Sequence, residues 1–250
     1  MVFQNRPRNL PVWPDRHGCA PESAALQRDA EQRVLLSEAD ADIERRWLRA
    51  RAGLSGLIER CTFQSFAVRD DWPEVVSLRD RIWDYASTLV AGNLGDRPWL
   101  VLHGNYGTGK SHLAAAIIHQ AFDAGLRGCA FRVWTSYINR LQATMDKRRQ
   151  TEDEFGHETA ADILAELKRG SVVVIDDIDK QPATEWARSK LYDVLHTRYN
   201  ALLPTVLTFN TDLTDPAIQD YIGGAVLDRI MQHAYDIVPF DGPSYRMVMA

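Results

Sequence analysis

Hydrophobic positions along this chain fall into two textures. Between Pro21 and about Arg51, glycine and proline disappear after the first residue. There Leu26, Ala30, Val34, Ile43 and Trp47, with Leu54 just beyond, stand at near-helical spacings in a charged background, which predicts one or two amphipathic helices. A further helical stretch is predicted over Pro73–Val90, closed by a turn over Gly92–Pro98. Residues 1 to about 20 read as an irregular arm, because Pro7, Pro11, Pro14 and Gly18 interrupt any period. After Pro98 short apolar runs alternate with longer amphipathic ones. Strands are predicted at Trp99–Leu102, Ala130–Val133, Val172–Ile175, Thr205–Phe209 and Ile237–Phe240, and helices at Ser111–Ala124 and Thr184–Tyr199. This alternation predicts an α/β fold of three layers, a parallel sheet with helices on both faces. The chain then divides into an N-terminal arm and helical region (1–51), a lead-in (52–97) and an α/β core (98–250).

The first strand runs into Gly104-Asn105-Tyr106-Gly107-Thr108-Gly109-Lys110-Ser111, a G-x-x-x-x-G-K-[ST] loop between a strand and an alanine-rich helix. Glycines there let backbone N–H groups curl around phosphates, and the helix N-terminus adds partial positive charge. Lys110 reaches the β and γ oxygens, the Ser111 hydroxyl suits Mg²⁺, and His112 follows directly in line with the loop. The run Val172-Val173-Val174-Ile175-Asp176-Asp177 is a buried strand ending in two carboxylates. Asp176 is placed to hold Mg²⁺, directly or through water, and Asp177 to orient and deprotonate an attacking water. Together these predict binding of ATP or ADP with Mg²⁺, and hydrolysis.

Composition narrows the setting. The 250 residues are 45% hydrophobic and 25% charged, ordinary for a globular protein. Net charge is −5, from 29 basic and 34 acidic residues, so any nucleic-acid contact must be a local patch. Cys19, Cys61 and Cys129 are far apart with no C-x-x-C, which points to a reducing, cytoplasmic setting. No signal-peptide core and no apolar run near the roughly 18 residues of a membrane helix is seen, so no membrane partner is expected.

With the two phosphate-site motifs in place, the sequence resembles the DnaC/IstB-like branch of AAA+ ATPases, bacterial helicase loaders and transposon helper ATPases. The resemblance runs from about Ala52 to Arg246. It is carried by Ala52-Gly53-Leu54, Thr62-Phe63, Gly104–Ile117, Ile175-Asp176-Asp177, Arg198-Tyr199, Pro204-Thr205, Thr208-Phe209-Asn210, Asp228-Arg229-Ile230 and Ser244-Tyr245-Arg246. It implies a P-loop AAA+ core with a reduced lid and a helical N-terminal extension. Asn210 then resembles the sensor 1 amide, Arg229 the arginine finger given to a neighbouring subunit, and Arg246 the sensor 2 arginine. Asp177 stands where many AAA+ proteins have Glu, one methylene longer, which suits slow, switch-like hydrolysis.

Arg140, Lys147, Arg148 and Arg149 follow the second strand, where the resemblance implies a helical insertion facing single-stranded DNA; Glu152, Asp153 and Glu154 nearby would also suit a plain solvated helix end. The leading expectation is a helicase loader that oligomerises on ATP and DNA and contacts the replicative helicase through its N-terminal region. An IstB-like transposition helper is the close alternative, and a P-loop small-molecule kinase one from another class.

Overall fold

The computed structural model describes residues 42–148, 158–180 and 184–247. The chain divides into two compact units, residues 1–47 and 48–250. Of the first, the described part (42–47) is helical, and Arg46 pairs with Asp42 at 2.8 Å, one turn apart. This helix, α1 (42–51), runs on into the second unit. Val34 lies outside the described residues.

The second unit holds α2 (Val75–Val90), β1 (Trp99–Gly104), α3 (Lys110–Asp123), β2 (Cys129–Val133), α4 (Trp134–Arg148) and α5 (Ala160–Arg169). It continues with β3 (Val172–Asp176), α6 (Glu185–Asn200), β4 (Thr205–Thr208), α7 (Pro216–Ile222), α8 (Gly224–His233) and β5 (Ala234–Phe240). The five strands form one sheet in the order β2-β3-β4-β1-β5, every neighbouring pair parallel. Every residue of β1 is buried, because it is an inner strand with helices on both faces. Alternate side chains serve opposite cores. Leu100, Leu102, Val172 and Val174 pack with α2 and α3, whereas Trp99, Val101, Val173 and Ile175 pack with α4 to α8. Trp134 and Tyr137 open α4 inside that second core, fully or almost fully buried.

The apolar pattern anticipated the strands and α2, α3 and α6, but not α4 or the short helices α5, α7 and α8. These short helices bury few residues, Ile163 and Leu167 in α5 and Ile218 and Ile222 in α7. Caps mark α5 and α7 instead. Thr159 and Asp162 make a reciprocal capping box on α5, and Asp215 with Pro216 starts α7. Strand β5 begins at Ala234, earlier than the apolar run, since its first half pairs through backbone with a register shift at Trp99/Leu100.

Ile43 and Trp47 are 65% and 57% exposed, while Leu54 lies past the end of α1, 2% exposed, in the core with α2 and α3. Gly53 turns the chain there at φ +87°, and a Cβ on it would sit 2.1 Å from the Phe131 carbonyl oxygen. That close approach lets the Ala52 carbonyl accept a bond of 2.6 Å from the Phe131 N–H, so the lead-in closes the outer edge of β2. Cys61 and Cys129 are free thiols, and Cys19 lies outside the described residues. No helix among the described residues is long and apolar enough to cross a membrane.

Candidate functional site

The carboxyl ends of β1, β3 and β4 meet around a cavity of about 370 Å³ lined by both phosphate-site motifs. The loop Gly104–Ser111 leaves β1, and Gly109 caps α3 in the left-handed region at φ +98°. A Cβ on Gly109 would lie 2.6 Å from the Phe66 ring, so only glycine fits between loop and lead-in. Lys110 is buried and donates to the carbonyls of Gly104 and Asn105 at 2.8 and 2.6 Å. Burial pushes its pKa down to about 8, against the upward pull of Asp177, Asp179 and Asp176. The Thr108 hydroxyl donates to the Asn105 carbonyl at 2.8 Å, and the Asn105 side chain to the Asp241 carbonyl at 3.0 Å.

Asp176 ends β3, 3% exposed. One carboxylate oxygen accepts from the Ser111 hydroxyl at 2.8 Å and from Thr208 at 2.7 Å. Burial, then the neighbouring Asp177, raises its pKa to about 6. A buried carboxylate short of positive charge, beside a serine hydroxyl, is a hard-oxygen pair that fits Mg²⁺. Asp177 takes φ +55°, a conformation few residues with a side chain adopt. Its N–H donates to Thr208 Oγ1 at 2.8 Å. The turn aims its carboxylate into the cavity, where Oδ1 accepts from Asn210 Nδ2 at 2.9 Å and Oδ2 pairs with Lys180. Asp179 fixes Asn210 in turn, accepting from its backbone N–H at 2.7 Å and its amide at 3.1 Å.

Two segments distant in sequence cover the loop. From the lead-in, the Thr62 carbonyl accepts a bond of 2.8 Å from His112 Nε2, and Phe66 packs edge-on against the same ring at 5.2 Å. His112 therefore lines the cavity while latching the lead-in to α3; burial lowers its pKa. From the chain after β5, the Tyr245 N–H donates to the Gly107 carbonyl at 2.8 Å. The Tyr245 hydroxyl donates to the Ala67 carbonyl at 2.7 Å, and Arg69 donates to the Ser244 carbonyl at 3.0 Å. The two segments thus hold each other. Spacing could not reveal this clamp, nor the parts played by Thr208, Asp179 and Lys180.

The other expected residues divide. Arg246 lines the cavity beside Tyr106, Gly107 and Asn210. Arg229 is not among its lining residues. It lies on α8 with its guanidinium 5.0 Å from the Tyr192 ring centre and 5.3 Å from that of Tyr199, and donates to the Ala225 carbonyl at 2.8 Å. Arg140, on α4, pairs with Glu158 and reaches Glu166 at 3.5 Å. The side chains of Lys147 and Arg148, and Arg149 altogether, lie outside the described residues.

A phosphate loop and an acidic strand end on a parallel sheet of this order define an AAA+ type P-loop nucleotide-binding domain. The chain belongs to the family described as IstB-like ATP binding protein, whose family model matches residues 33–249. It is 24% identical over 239 residues to the replicative helicase loader DnaC of Escherichia coli, covering 95% of this chain and 85% of DnaC. It is 30% identical over 151 residues to an ATP-binding protein assigned to the insertion sequence IS21 of Pseudomonas aeruginosa, covering 59% of this chain and 52% of that protein. This chain thus spans about half the length of its IS21 relative. Among solved structures, a DnaC helicase loader superposes with TM-score 0.58 at 20% identity, covering 75% of this chain and all of that one. DnaA of Aquifex aeolicus bound to AMPPCP superposes at 0.54 with 16% identity, covering 72% and 50%. Both likenesses establish the fold.

Proposed function

We propose that this ATP-binding protein hydrolyses ATP as a switch and acts as a DnaC-like loader, binding single-stranded DNA and delivering the replicative helicase. One observation carries the choice of loader. The match to DnaC leaves at most about a dozen residues of the chain unmatched, so it runs well into residues 1–51, outside the phosphate site. The IS21 reading, a helper that directs a transposase, keeps the support of the higher identity and of the family's name. The family match lends none to the small-molecule kinase.

In this reading the backbone of Gly104–Ser111 and Lys110 cradle the phosphates, and Lys110 leaves two loop carbonyls to do so. Ser111 and Asp176 would hold Mg²⁺, which would supply charge neutralisation for the phosphates. Asp177 takes the proton of the attacking water as its oxygen bonds to the terminal phosphorus and the bridging P–O bond breaks. Asn210, already bonded to Asp177, orients that carboxylate and the water without adding charge. Arg246 contacts nucleotide from the cavity wall. Arg229, outside its own cavity, serves the site of a neighbouring subunit in a homo-oligomer; such fingers contribute ~10³ to 10⁵ in rate. Arg140, Lys147, Arg148 and Arg149 contact DNA phosphates.

The test is capture of partners from host lysate by the full chain. The loader reading expects the replicative helicase, lost in an Ile43→Ala, Trp47→Ala double variant that melts like wild type. Recovery of a transposase and no helicase would establish the IS21 reading instead. Lys110→Ala should abolish binding of a fluorescent ATP analogue, and unchanged affinity would remove the nucleotide assignment.

A further inference from the structure

We infer that Lys180 is a second phosphate-binding lysine, one that recognises the terminal phosphate of a nucleoside triphosphate and frees Asp177 as it does so. The inference rests on ATP being the nucleotide and assigns a residue that neither motif of the site contains. Lys180 ends a short 3-10 turn, Ile178–Lys180, immediately after the acidic strand end. The turn is held at three points. The Lys180 N–H donates to the Asp177 carbonyl at 3.2 Å, Ile178 is buried in the core, and Asp179 is tied to Asn210 by two bonds. Its stem therefore starts from a fixed place, while its side chain remains 39% exposed.

The ammonium faces the cavity. It pairs with Asp177 Oδ2 and lies 5.8 Å from the ring centre of Tyr106, the third residue of the phosphate loop. Lys180, Tyr106, Lys110, Ser111, Asp177 and Asn210 all line the same space.

Charge explains why the pair should part. Three carboxylates, Asp176, Asp177 and Asp179, approach this end of the sheet, and all three pull on the Lys110 ammonium. In the structure Lys180 offsets Asp177. A terminal phosphate entering beside Asp177 would meet that negative carboxylate unless a cation stood between them. An ammonium with three rotatable donors on a flexible stem can turn from carboxylate to phosphate by rotating its own side chain. A diphosphate offers nothing at that position, so Lys180 stays on Asp177. The residue thus discriminates triphosphate from diphosphate, and Asp177 becomes available to water only when the terminal phosphate is present.

Equilibrium titration of the full chain with fluorescent ATP and ADP analogues tests this, with and without Mg²⁺. Lys180→Met keeps most of the stem and removes the charge. It should lose about ten- to hundredfold in ATP affinity, the range for one charge-assisted bond, with ADP affinity changed by less than about threefold. Lys180→Arg should restore most of the preference. A companion pair separates contact with phosphate from mere neutralisation of Asp177. In an Asp177→Asn background, adding Lys180→Met should still reduce ATP affinity about tenfold. An unchanged ratio of ATP to ADP affinity in Lys180→Met, equal losses for both nucleotides, or no effect in the Asp177→Asn background would each overturn the assignment. If wild type and Lys110→Ala bind neither nucleotide, the ATP reading itself falls, an outcome distinct from these.

Discussion

Two buried charges stand at opposite ends of the same strands, and their surroundings differ. Arg198, on α6, is fully buried where β3 and β4 begin. It donates to the carbonyls of Leu167 and Gly170 and to Thr205 Oγ1, each at 2.8 Å, and to the Pro204 carbonyl at 2.5 Å. Leu167 and Gly170 belong to the end of α5, whose outward carbonyls carry partial negative charge that suits a cation. Asp176, where β3 ends, accepts instead from two hydroxyls, those of Ser111 and Thr208. Burial shifts both groups towards neutrality, Arg198 down to about 9 and Asp176 up to about 6. One charge has its donors matched to neutral acceptors and binds three elements together. The other is met only by the hydroxyls of Ser111 and Thr208 and stands next in the chain to Asp177, which lines the cavity.

The comparison breaks first at Arg198. Replacing it with Met leaves four acceptors without their donor and should cost about 3–5 kcal/mol in urea melts. A loss below about 1 kcal/mol would mean that water reaches those carbonyls and the end is not dry.

The opposite sign is expected at Asp176. Its pKa in the folded protein, about 6, lies above the ordinary value near 4, so its contribution favours folding fully below about pH 4 and is lost as pH rises through about 6. Asp176→Asn should therefore stabilise the nucleotide-free protein at neutral pH by about 2–3 kcal/mol while leaving it unchanged near pH 4. The same variant should lose the Mg²⁺ dependence of nucleotide binding. Equal stability of variant and wild type across this pH range would show that the carboxylate is already neutralised.

The smallest effect belongs at the surface. Arg140 pairs with Glu158 while half exposed, so Arg140→Ala should change stability by less than about 1 kcal/mol. If Arg140 instead turns to a DNA phosphate, the variant should lower the salt slope of single-strand binding by about 0.7. An unchanged slope would leave Arg140 as a partner of Glu158 and Glu166 alone.

Much of this was legible in the residues. The phosphate loop, the acidic strand end and the inner strands declare themselves within a few neighbouring positions, because glycine backbone, a buried apolar run and a terminal carboxylate are local requirements. The helical spacing was read to end at about Arg51, where α1 ends, but spacing alone did not show that Leu54, beyond the Gly53 turn, joins the core with α2 and α3. Helices α5, α7 and α8 were obscured because they bury two or three residues each, and of the three only α5 and α7 carry a side-chain cap.

The sequence by itself determined that a glycine-rich loop follows β1 and that two acids end β3, since each motif needs only its own backbone. Only the tertiary structure decided what surrounds them. Thr62 reaches His112, Tyr245 reaches Gly107, Arg198 reaches Leu167 and Asn210 reaches Asp177 across long stretches of chain. Such pairs form when a packed parallel sheet brings strand ends together, and no local periodicity encodes them.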